Sequence, residues 1–483
     1  MHLWLFIFGT VLALSTGAAV AQKKVVCYLG SWSTYRPGDG KFDIEHINPH
    51  LCTHVIYTFV GITSAGGIRI LDDWNEIGKG GFRRFNELRN QNPSLKTLVA
   101  IGGWNEGSTT YSQVVNSASL RSAFVNNIVN FVKQYEFDGF DLDWEYPCQR
   151  GGASTDKAAY ILLLKELREK FDQNGYLLSA AVAAAESSAS LSYDIPKVGQ
   201  YLDFINIMAY DLHGSWDSVT GHNAPLYPSS KDVTQQQRSL NVDAAVKYWL
   251  GQGAPPEKIV VGMGTYGRTF TLSGSASCAI GVPASGAGSA GPYTREAGML
   301  GYNEICEKLS SWNVIWDDEQ KVPFACNGNQ FVGYDNPKSI GLKAQYVVSK
   351  GLGGAMIWSL ETDDFLGKCH GSKFPLLRAI NEVFNGGVLP PDEDTTTTTT
   401  TTIKTPENPD IPTDPPVTSA PEPETPGVCT KEGHIRDPNN CEIFYHCQSD
   451  GSGGFIAHQK QCSNGLLFDP VLQVCNWPSA VSC

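Results

Sequence analysis

The sequence predicts an α/β fold, a (β/α)8 TIM barrel, followed by a linker and a small disulfide-rich β domain. Three observations lead to this prediction. Eight short apolar runs alternate with amphipathic stretches, a Thr- and Pro-rich segment follows at 387–428, and six of the 13 cysteines lie after that segment. Strands that alternate with helices are typical of a barrel with its helices outside. An open doubly wound sheet is the alternative, but no GxGxxG motif follows a strand.

The eight apolar runs define the predicted barrel strands. They are Val25–Leu29, His54–Phe59, Thr97–Ile101, Gly139–Trp144, Leu177–Ala183, Phe204–Met208, Ile259–Met263 and Gly354–Trp358. Two of the intervening stretches, Leu120–Tyr135 and Lys157–Asp172, have apolar residues at helical spacing. The gap between the seventh and eighth runs is far longer than a helix needs, so we expect an α+β insertion at about 266–335.

The N-terminus predicts a secreted protein. Leu3–Leu14 is an apolar run of signal-peptide length, and the cleavage pattern Ala19-Val20-Ala21 follows it, so residues 1–21 are predicted to be a signal peptide. The formal net charge of −13 argues against a nucleic acid or an anionic membrane as partner. We expect a monomer.

The segment 387–428 is predicted to be an extended linker. It contains 12 Thr and 10 Pro among 42 positions. So few apolar residues cannot offset the chain entropy of folding. The composition also fits an O-glycosylated stalk, with an unmodified spacer as the alternative. The linker separates a barrel domain at 22–386 from a C-terminal domain at 429–483.

The C-terminal domain contains six cysteines, which predict cross-linking in an oxidising compartment. A zinc site is the weaker interpretation, because the segment has no CxxC pair. A domain of this size has too little core to be stable without such cross-links.

The acidic strand near residue 140 contains the candidate catalytic groups. Side chains alternate along a strand, so Asp141, Asp143 and Glu145 point to one side and Phe140 and Trp144 to the other. The carboxyls would then approach the C-terminal mouth of the barrel, where barrel active sites lie. Neighbouring like charges raise the pKa of each carboxyl, which suits the general acid of a glycosidase. A calcium or magnesium site is the alternative.

This strand resembles the DxxDxDxE signature of family 18 glycoside hydrolases, the chitinases. Further motifs resemble those of other strands of that family, in the same order. They are Ala100-Ile101-Gly102-Gly103-Trp104-Asn105, Met208-Ala209-Tyr210-Asp211, Gly264-Thr265-Tyr266-Gly267-Arg268 and Gly354-Ala355-Met356-Ile357-Trp358-Ser359. The resemblance covers about residues 24–386.

The resemblance implies a role for each of five catalytic residues. Glu145 would be the general acid and later the base, and Asp143 would orient the substrate's N-acetyl group. Asp141 would share a proton with Asp143. Tyr210 would donate to the acetamido carbonyl, and Asp211 would bond the sugar at the cleavage point. The acetamido oxygen would be the nucleophile, with retention of configuration and with neither a metal nor an organic cofactor.

The resemblance also implies a cleft whose aromatic side chains stack on pyranose rings. For any single aromatic residue or methionine, a core role is the alternative, and Phe140 and Trp144 are expected in the core. The residues expected in the cleft are Tyr28, Trp32, Phe59, Asp73, Trp74, Gly102, Gly103, Trp104, Asn105, Tyr146, Met208, Trp216, Tyr266, Arg268 and Trp358.

The cysteine pairs are also implied by resemblance. In the barrel domain they are Cys27–Cys52 and Cys306–Cys369. Cys278–Cys326 is a further candidate that leaves Cys148 free, although Cys148 could instead pair with either of those two. The C-terminal domain resembles a peritrophin-A type of chitin-binding domain, which implies the pairs Cys429–Cys447, Cys441–Cys483 and Cys462–Cys475.

The resulting prediction is a secreted, endo-acting chitinase of arthropod type. It would hydrolyse β-1,4-linked N-acetylglucosamine polymers, with chitin and chito-oligosaccharides as its partners. The chief alternative is a non-catalytic chitinase-like lectin, but such relatives typically lose the last acid of the signature, and Glu145 is present. A structural chitin-organising protein is the other alternative.

Overall fold

The computed structural model describes two separate units of the chain. The first unit is described over residues 22–274 and 277–387. The second is described at residues 429, 433–449, 454–462, 467–470, 474–476 and 481. The predicted signal peptide at 1–21 and the predicted linker after Gly387 lie outside the described residues.

Eight parallel strands of the first unit close into the predicted barrel. The strands of this unit are β1 (Lys24–Gly30), β2 (His54–Ile62), β3 (Ile68–Ile70), β4 (Lys96–Gly102), β5 (Gly139–Asp143), β6 (Leu177–Ala183), β7 (Phe204–Met208), β8 (Ile259–Gly264), β9 (Tyr266–Leu272), β10 (Ala284–Ala287), β11 (Met299–Gly301), β12 (Asn313–Asp317), β13 (Val322–Asn327), β14 (Gln330–Gly333) and β15 (Gly354–Trp358). The barrel order is β1-β15-β8-β7-β6-β5-β4-β2, and pairing of β1 with β2 closes the ring. The short β3 adds to β2 in antiparallel orientation.

Helices connect the strands. They are α1 (Gly81–Glu87), α2 (Thr109–Asn116), α3 (Ala118–Gln134), α4 (Asp156–Asp172), α5 (Glu186–Ser192), α6 (Ile195–Tyr201), α7 (Gln235–Ser239), α8 (Val242–Gly251), α9 (Tyr302–Cys306), α10 (Pro337–Ser349) and α11 (Pro375–Phe384). The two helices predicted from periodicity are α3 and α4, each within two residues of its predicted bounds. In α4 the predicted apolar face, which includes Leu163, Leu164 and Leu167, is buried.

The core has two layers, as alternation along barrel strands requires. One cluster fills the interior and includes Val26, Ile56 and Leu98. The larger cluster lies between the barrel and the helices and includes Phe140 and Trp144. Both residues are therefore in the core, as predicted.

The insertion between β8 and β15 is an antiparallel sheet with the order β10-β9-β14-β13-β12, and β11 also pairs with β9. A disulfide between Cys278 and Cys326 cross-links it. This pair confirms the candidate assignment, and Cys148 is a free thiol.

Two further disulfides of the first unit are also as predicted, Cys27–Cys52 and Cys306–Cys369.

Among the described residues, every helix is too short or too polar to cross a bilayer.

The second unit contains a three-stranded antiparallel sheet and a two-stranded one. Its strands are β16 (Gly433–Arg436), β17 (Ile443–Ser449), β18 (Phe455–Gln461), β19 (Leu467–Asp469) and β20 (Val474–Asn476). Cys429 pairs with Cys447, as predicted. Cys441 and Cys462 are also disulfide-bonded. The side chains of their expected partners, Cys483 and Cys475, lie outside the description, so those two pairings stay predictions.

A buried ion pair joins α10 to the segment before it, and its removal is expected to destabilise the first unit. The Nζ of Lys343 lies 2.6 Å from both carboxylate oxygens of Asp335, and both side chains are fully buried. Removing one partner leaves the other charge buried, so Lys343→Met should lower the midpoint of thermal unfolding by roughly 5–10 °C. The control is Lys165→Met, which breaks an exposed pair with Glu169 and should shift the midpoint by about 1 °C or less. Equal shifts in circular-dichroism melts of the two variants would contradict this assignment.

Candidate active site

The acidic residues lie at the C-terminal end of β5. Asp141 and Asp143 are on the strand, and their side chains are buried. The strand ends at Asp143, one residue before its predicted end, so Glu145 follows the strand instead of lying on it. Glu145 is therefore on a segment beyond the strand, and the residue as a whole keeps part of its surface exposed.

Asp141 is held by donors from three other strands. Its Oδ2 accepts a 2.8 Å hydrogen bond from the Tyr28 hydroxyl, and its Oδ1 accepts bonds of 2.6 Å from Ser179 Oγ and 3.4 Å from Asn206 Nδ2. Burial raises the pKa of Asp141 to about 6, although these three donors act in the opposite direction. Inside the barrel, neutral side chains thus replace water as the hydrogen-bond donors to this carboxyl.

Asp143 and Glu145 follow Asp141 along the chain, and the charge of Glu145 acts on the pKa of Asp143. Burial raises the pKa of Asp143 well above its ordinary value, and the charges of Glu145 and Asp141 raise it further. Within the described part of the chain, no group donates a hydrogen bond to the Oδ1 atom of Asp143. Burial likewise raises the pKa of Glu145 to about 7. A carboxyl group with this pKa can both hold and release a proton near neutral pH.

Gly102 and Gly103 allow β4 to approach this site closely. A Cβ on Gly102 would lie 2.1 Å from the carbonyl oxygen of Asp143, and one on Gly103 would lie 2.6 Å from the ring of Phe59. Both glycines also have positive φ angles, of 115° and 79°. The structure therefore assigns a packing reason to both residues, which were predicted as substrate contacts.

Tyr210 and Asp211 follow β7 at the same end of the barrel. The Tyr210 hydroxyl is 3.9 Å from the sulfur of Met356, a weak acceptor. Asp211 Oδ1 accepts hydrogen bonds of 2.6 Å from the Tyr266 hydroxyl and 2.7 Å from Arg268 Nε. The beginning of the insertion thus fixes the orientation of Asp211, and the Tyr210 hydroxyl keeps a proton that a ligand could accept.

Aromatic rings from three strand ends form one cluster beside the carboxyls. The ring of Trp358 lies 5.6 Å from Tyr28, 5.8 Å from Phe59 and 6.2 Å from Trp32. Trp32 and Phe59 are stacked with an interplanar angle of 17°. The structure therefore brings together four of the predicted cleft residues.

The other predicted cleft residues differ in how exposed they are and in what they contact. Trp104 and Trp216 are exposed, and each lies under an arginine, with the Arg150 guanidinium 3.5 Å from the Trp104 ring and that of Arg268 5.3 Å from Trp216. Tyr146 and Met208 are partly buried. Asp73, Trp74 and Asn105 are exposed, and none of them hydrogen-bonds a carboxyl of the acidic strand in the described part of the chain.

Sequence reasoning missed three residues of the site. Ser179 and Asn206, which donate to Asp141, are isolated polar residues in the apolar strands β6 and β7. That isolation was a usable signal, because a buried polar group needs a partner. Arg150, which contacts Trp104, lies in a loop and carried no comparable signal.

The donor set does not suit a cation. Both oxygens of Asp141 already accept hydrogen bonds from neutral side chains, so this carboxylate has little capacity left for a cation, which takes several oxygen ligands. Elsewhere, Cys306, Asp364 and Cys369 lie close together, but the two cysteines are bonded to each other. The arrangement at β5 is suited to proton transfer.

Comparison with known families gives two matches. The profile described as "Glycosyl hydrolases family 18" matches residues 24–363. The profile described as "Chitin binding Peritrophin-A domain" matches residues 429–483.

Individual proteins are similar over most of the chain. "Probable chitinase 2" of Drosophila melanogaster is 42% identical over 423 residues, which are 79% of this chain and 86% of that protein. The crystal structure of Ostrinia furnacalis Group IV chitinase with allosamidin is 48% identical, has a TM-score of 0.74, and is matched over 76% of this chain and 100% of its own. Human YKL-39, described as a pseudo-chitinase with retained chitooligosaccharide binding, is 39% identical with a TM-score of 0.71, over 76% of this chain and 100% of its own.

The raised pKa of Glu145 should make the stability of the fold depend on pH. A carboxyl whose folded pKa is raised to about 7 stabilises the fold below its unfolded pKa of about 4.3, and this contribution is lost as the pH rises through 7. Glu145→Gln is neutral at every pH. It should therefore melt higher than the wild type at pH 8 but not at pH 4, with each 1 kcal/mol corresponding to roughly 2–4 °C. Thermal melts at both pH values measure the difference.

The control for this experiment is Glu169→Gln, which changes an exposed carboxyl on α4. It should leave the melting temperature within about 1 °C of the wild type at both pH values. If Glu145→Gln melted lower than the wild type at pH 8, the proposed environment of Glu145 would be wrong.

Proposed function

The chain belongs to glycosyl hydrolase family 18 and carries a peritrophin-A-type chitin-binding domain, and from this we propose that it is an endo-acting chitinase. Its substrate would be the β-1,4-linked polymer of N-acetylglucosamine and its oligomers. The observation that carries the proposal is Glu145, a carboxyl with a pKa of about 7 placed just beyond two buried carboxyls at the mouth of the barrel.

Glu145 supplies the proton in the first step. Its protonated carboxyl donates to the glycosidic oxygen while the bond from that oxygen to the anomeric carbon breaks. The pKa of about 7 leaves a large fraction of the acid form at neutral pH. After the leaving sugar departs, the same group, now ionised, removes a proton from the attacking water.

The nucleophile in this proposal belongs to the substrate. The oxygen of its N-acetyl group attacks the anomeric carbon and forms an oxazolinium ion, which water then opens with overall retention of configuration. Asp143 would bond the acetamido nitrogen and stabilise its positive charge. The unpartnered Oδ1 of this buried side chain supports that role, because a buried acceptor needs a donor.

Neighbouring side chains would fix the geometry of that attack. The Tyr210 hydroxyl would donate to the acetamido oxygen, and Asp211, held by Tyr266 and Arg268, would bond the sugar itself. Asp141 would exchange a proton with Asp143 during the cycle, which its pKa of about 6 permits. The ring of Trp358 would form the floor on which the sugar stacks.

A non-catalytic lectin is the second candidate. The similarity to YKL-39, a protein described as a pseudo-chitinase that keeps chitooligosaccharide binding, is the observation that favours it. A lectin needs the aromatic cluster but not a proton donor. The presence of Glu145 with a raised pKa favours the enzyme.

The C-terminal domain would hold the enzyme on its insoluble substrate. A tether of the length of the predicted linker, residues 387–428, would raise the local concentration of the barrel at the polymer surface. The disulfides of both units and the signal-like N-terminus support secretion into an oxidising compartment.

Cleavage of soluble chito-oligosaccharides by the wild type and Glu145→Gln tests the proposed acid. The amide cannot donate the proton, so the rate should fall by at least about 10²–10⁴-fold, while the oligosaccharide should still bind. Chromatography of the released sugars measures the rate. Glu169→Gln should cleave like the wild type. If neither the wild type nor the variant cuts but both bind, the protein is a lectin.

Removal of residues 388–483 tests the role of the C-terminal domain. The truncated chain should cleave soluble oligomers at the wild-type rate, because the catalytic groups all lie in the first unit. Its rate on insoluble chitin powder should fall by about tenfold at low enzyme concentration. Loss of both activities would instead support the structural chitin-organising protein.

A further inference from the structure

The loop between β5 and α4 places Arg150 against two residues of the site. Its Nη1 donates a 3.0 Å hydrogen bond to the carbonyl oxygen of Glu145. Its guanidinium carbon lies 3.5 Å from the centroid of the Trp104 ring. A single side chain therefore connects the main chain of the proposed proton donor with an aromatic residue that follows β4.

The backbone of this loop is held in an unusual conformation. Cys148 and Arg150 have positive φ angles of 66° and 51°, which cost energy for residues other than glycine. Contacts to α5 compensate for this cost. Gln149 Nε2 donates a 2.8 Å bond to Ser192 Oγ, and Ser192 Oγ donates a 2.7 Å bond to the carbonyl oxygen of Pro147. The direction of Arg150 is thus set by the folded loop.

The contact leaves Trp104 able to bind a ligand. The Trp104 side chain is 59% exposed even though the guanidinium covers one part of its ring system. A guanidinium is planar and keeps its charge, so it can stack on an indole and hold it by a cation–π interaction. The uncovered face of the indole stays open for a sugar ring.

Arg150 also adds positive charge beside Glu145. The other titratable groups that act on or are affected by Glu145 are Asp143, Tyr146, Tyr193, Tyr210 and Asp211. The charge of Asp211 raises the pKa of Glu145, whereas the charge of Arg150 lowers it. Replacing Arg150 by a neutral residue should therefore move the pKa of Glu145 upwards.

We propose that Arg150 is a positioning residue that fixes the indole of Trp104 relative to Glu145, so that a sugar stacked on Trp104 is held at a set distance from the proton donor. The proposal rests on the proposed chitinase function. It predicts two separable contributions of one side chain: stacking, which acts on substrate binding, and charge, which acts on the pH dependence of the acid.

The test compares Arg150→Lys, Arg150→Gln and Arg150→Ala in the full chain, with chitotetraose as substrate and with kcat and KM measured from pH 4 to 9. All three lose the planar stack, so KM should rise by about 3–10-fold. Arg150→Lys keeps the positive charge, so the pH at which kcat falls on the alkaline side should stay that of the wild type. Arg150→Gln and Arg150→Ala remove the charge that lowers the pKa of Glu145, so in both variants kcat should fall at a higher pH. The control Arg83→Ala removes a surface charge on α1 and should change neither parameter.

A double-mutant cycle with Trp104→Ala completes the test. If Arg150 acts through the indole, Arg150→Ala should raise KM little further in the Trp104→Ala background. The proposal is overturned if the KM of Arg150→Ala equals that of the wild type, or if the KM effects of the two substitutions simply multiply. It is also overturned if Arg150→Lys and Arg150→Gln shift the high-pH limb of kcat equally.

A binding measurement separates this proposal from the proposed function. If the wild type fails to cut chitotetraose, the proposed function is wrong, but tryptophan fluorescence still reports the affinity of the same oligosaccharide. A Kd that is about 3–10-fold weaker in Arg150→Ala supports the stacking role. An unchanged Kd overturns it.

Discussion

The structure depends on burying carboxyls of like charge at one end of a single barrel strand. Water cannot solvate Asp141 and Asp143 there, so the protein has to stabilise them by other means. Asp141 receives three hydrogen bonds from neutral donors. Asp143, in contrast, has an oxygen to which no described residue donates, and its pKa is strongly raised. The unsatisfied group is the one placed beside Glu145. The energetic cost of the site is therefore concentrated where the chemistry is proposed to occur.

Closure of the barrel makes that arrangement possible. The donors to Asp141 come from β1, β6 and β7, and a ring of strands is what brings those three to one interior layer. The same ring gathers the aromatic cluster from β1, β2 and β15. The insertion adds a further constraint, since Tyr266 and Arg268 at its start orient Asp211. The mouth of the barrel is thus built from segments that are distant in the chain.

In the proposed function, sugar binding and bond cleavage would use different parts of this site. The solved structures similar to this chain include an Ostrinia furnacalis Group IV chitinase and human YKL-39, which is described as a pseudo-chitinase, and both share the barrel. The aromatic cluster alone could hold a sugar, whereas bond cleavage also needs a proton donor with a suitable pKa. Arg150 contacts both parts, because it touches Trp104 through its guanidinium face and Glu145 through a hydrogen bond.

The sequence by itself determined the elements and the acidic strand, because hydrophobic periodicity and side-chain alternation are local properties. The strands β6, β7 and β15 have the predicted bounds, and β5 differs by one residue at its end. Only the tertiary structure decided which polar residues reach Asp141, that Cys278 pairs with Cys326 and leaves Cys148 free, and that Arg150 stacks on Trp104. Each of these contacts joins residues separated by tens of positions in the chain. These residues come close because the barrel closes and the loops fold, and a local sequence pattern does not contain that information.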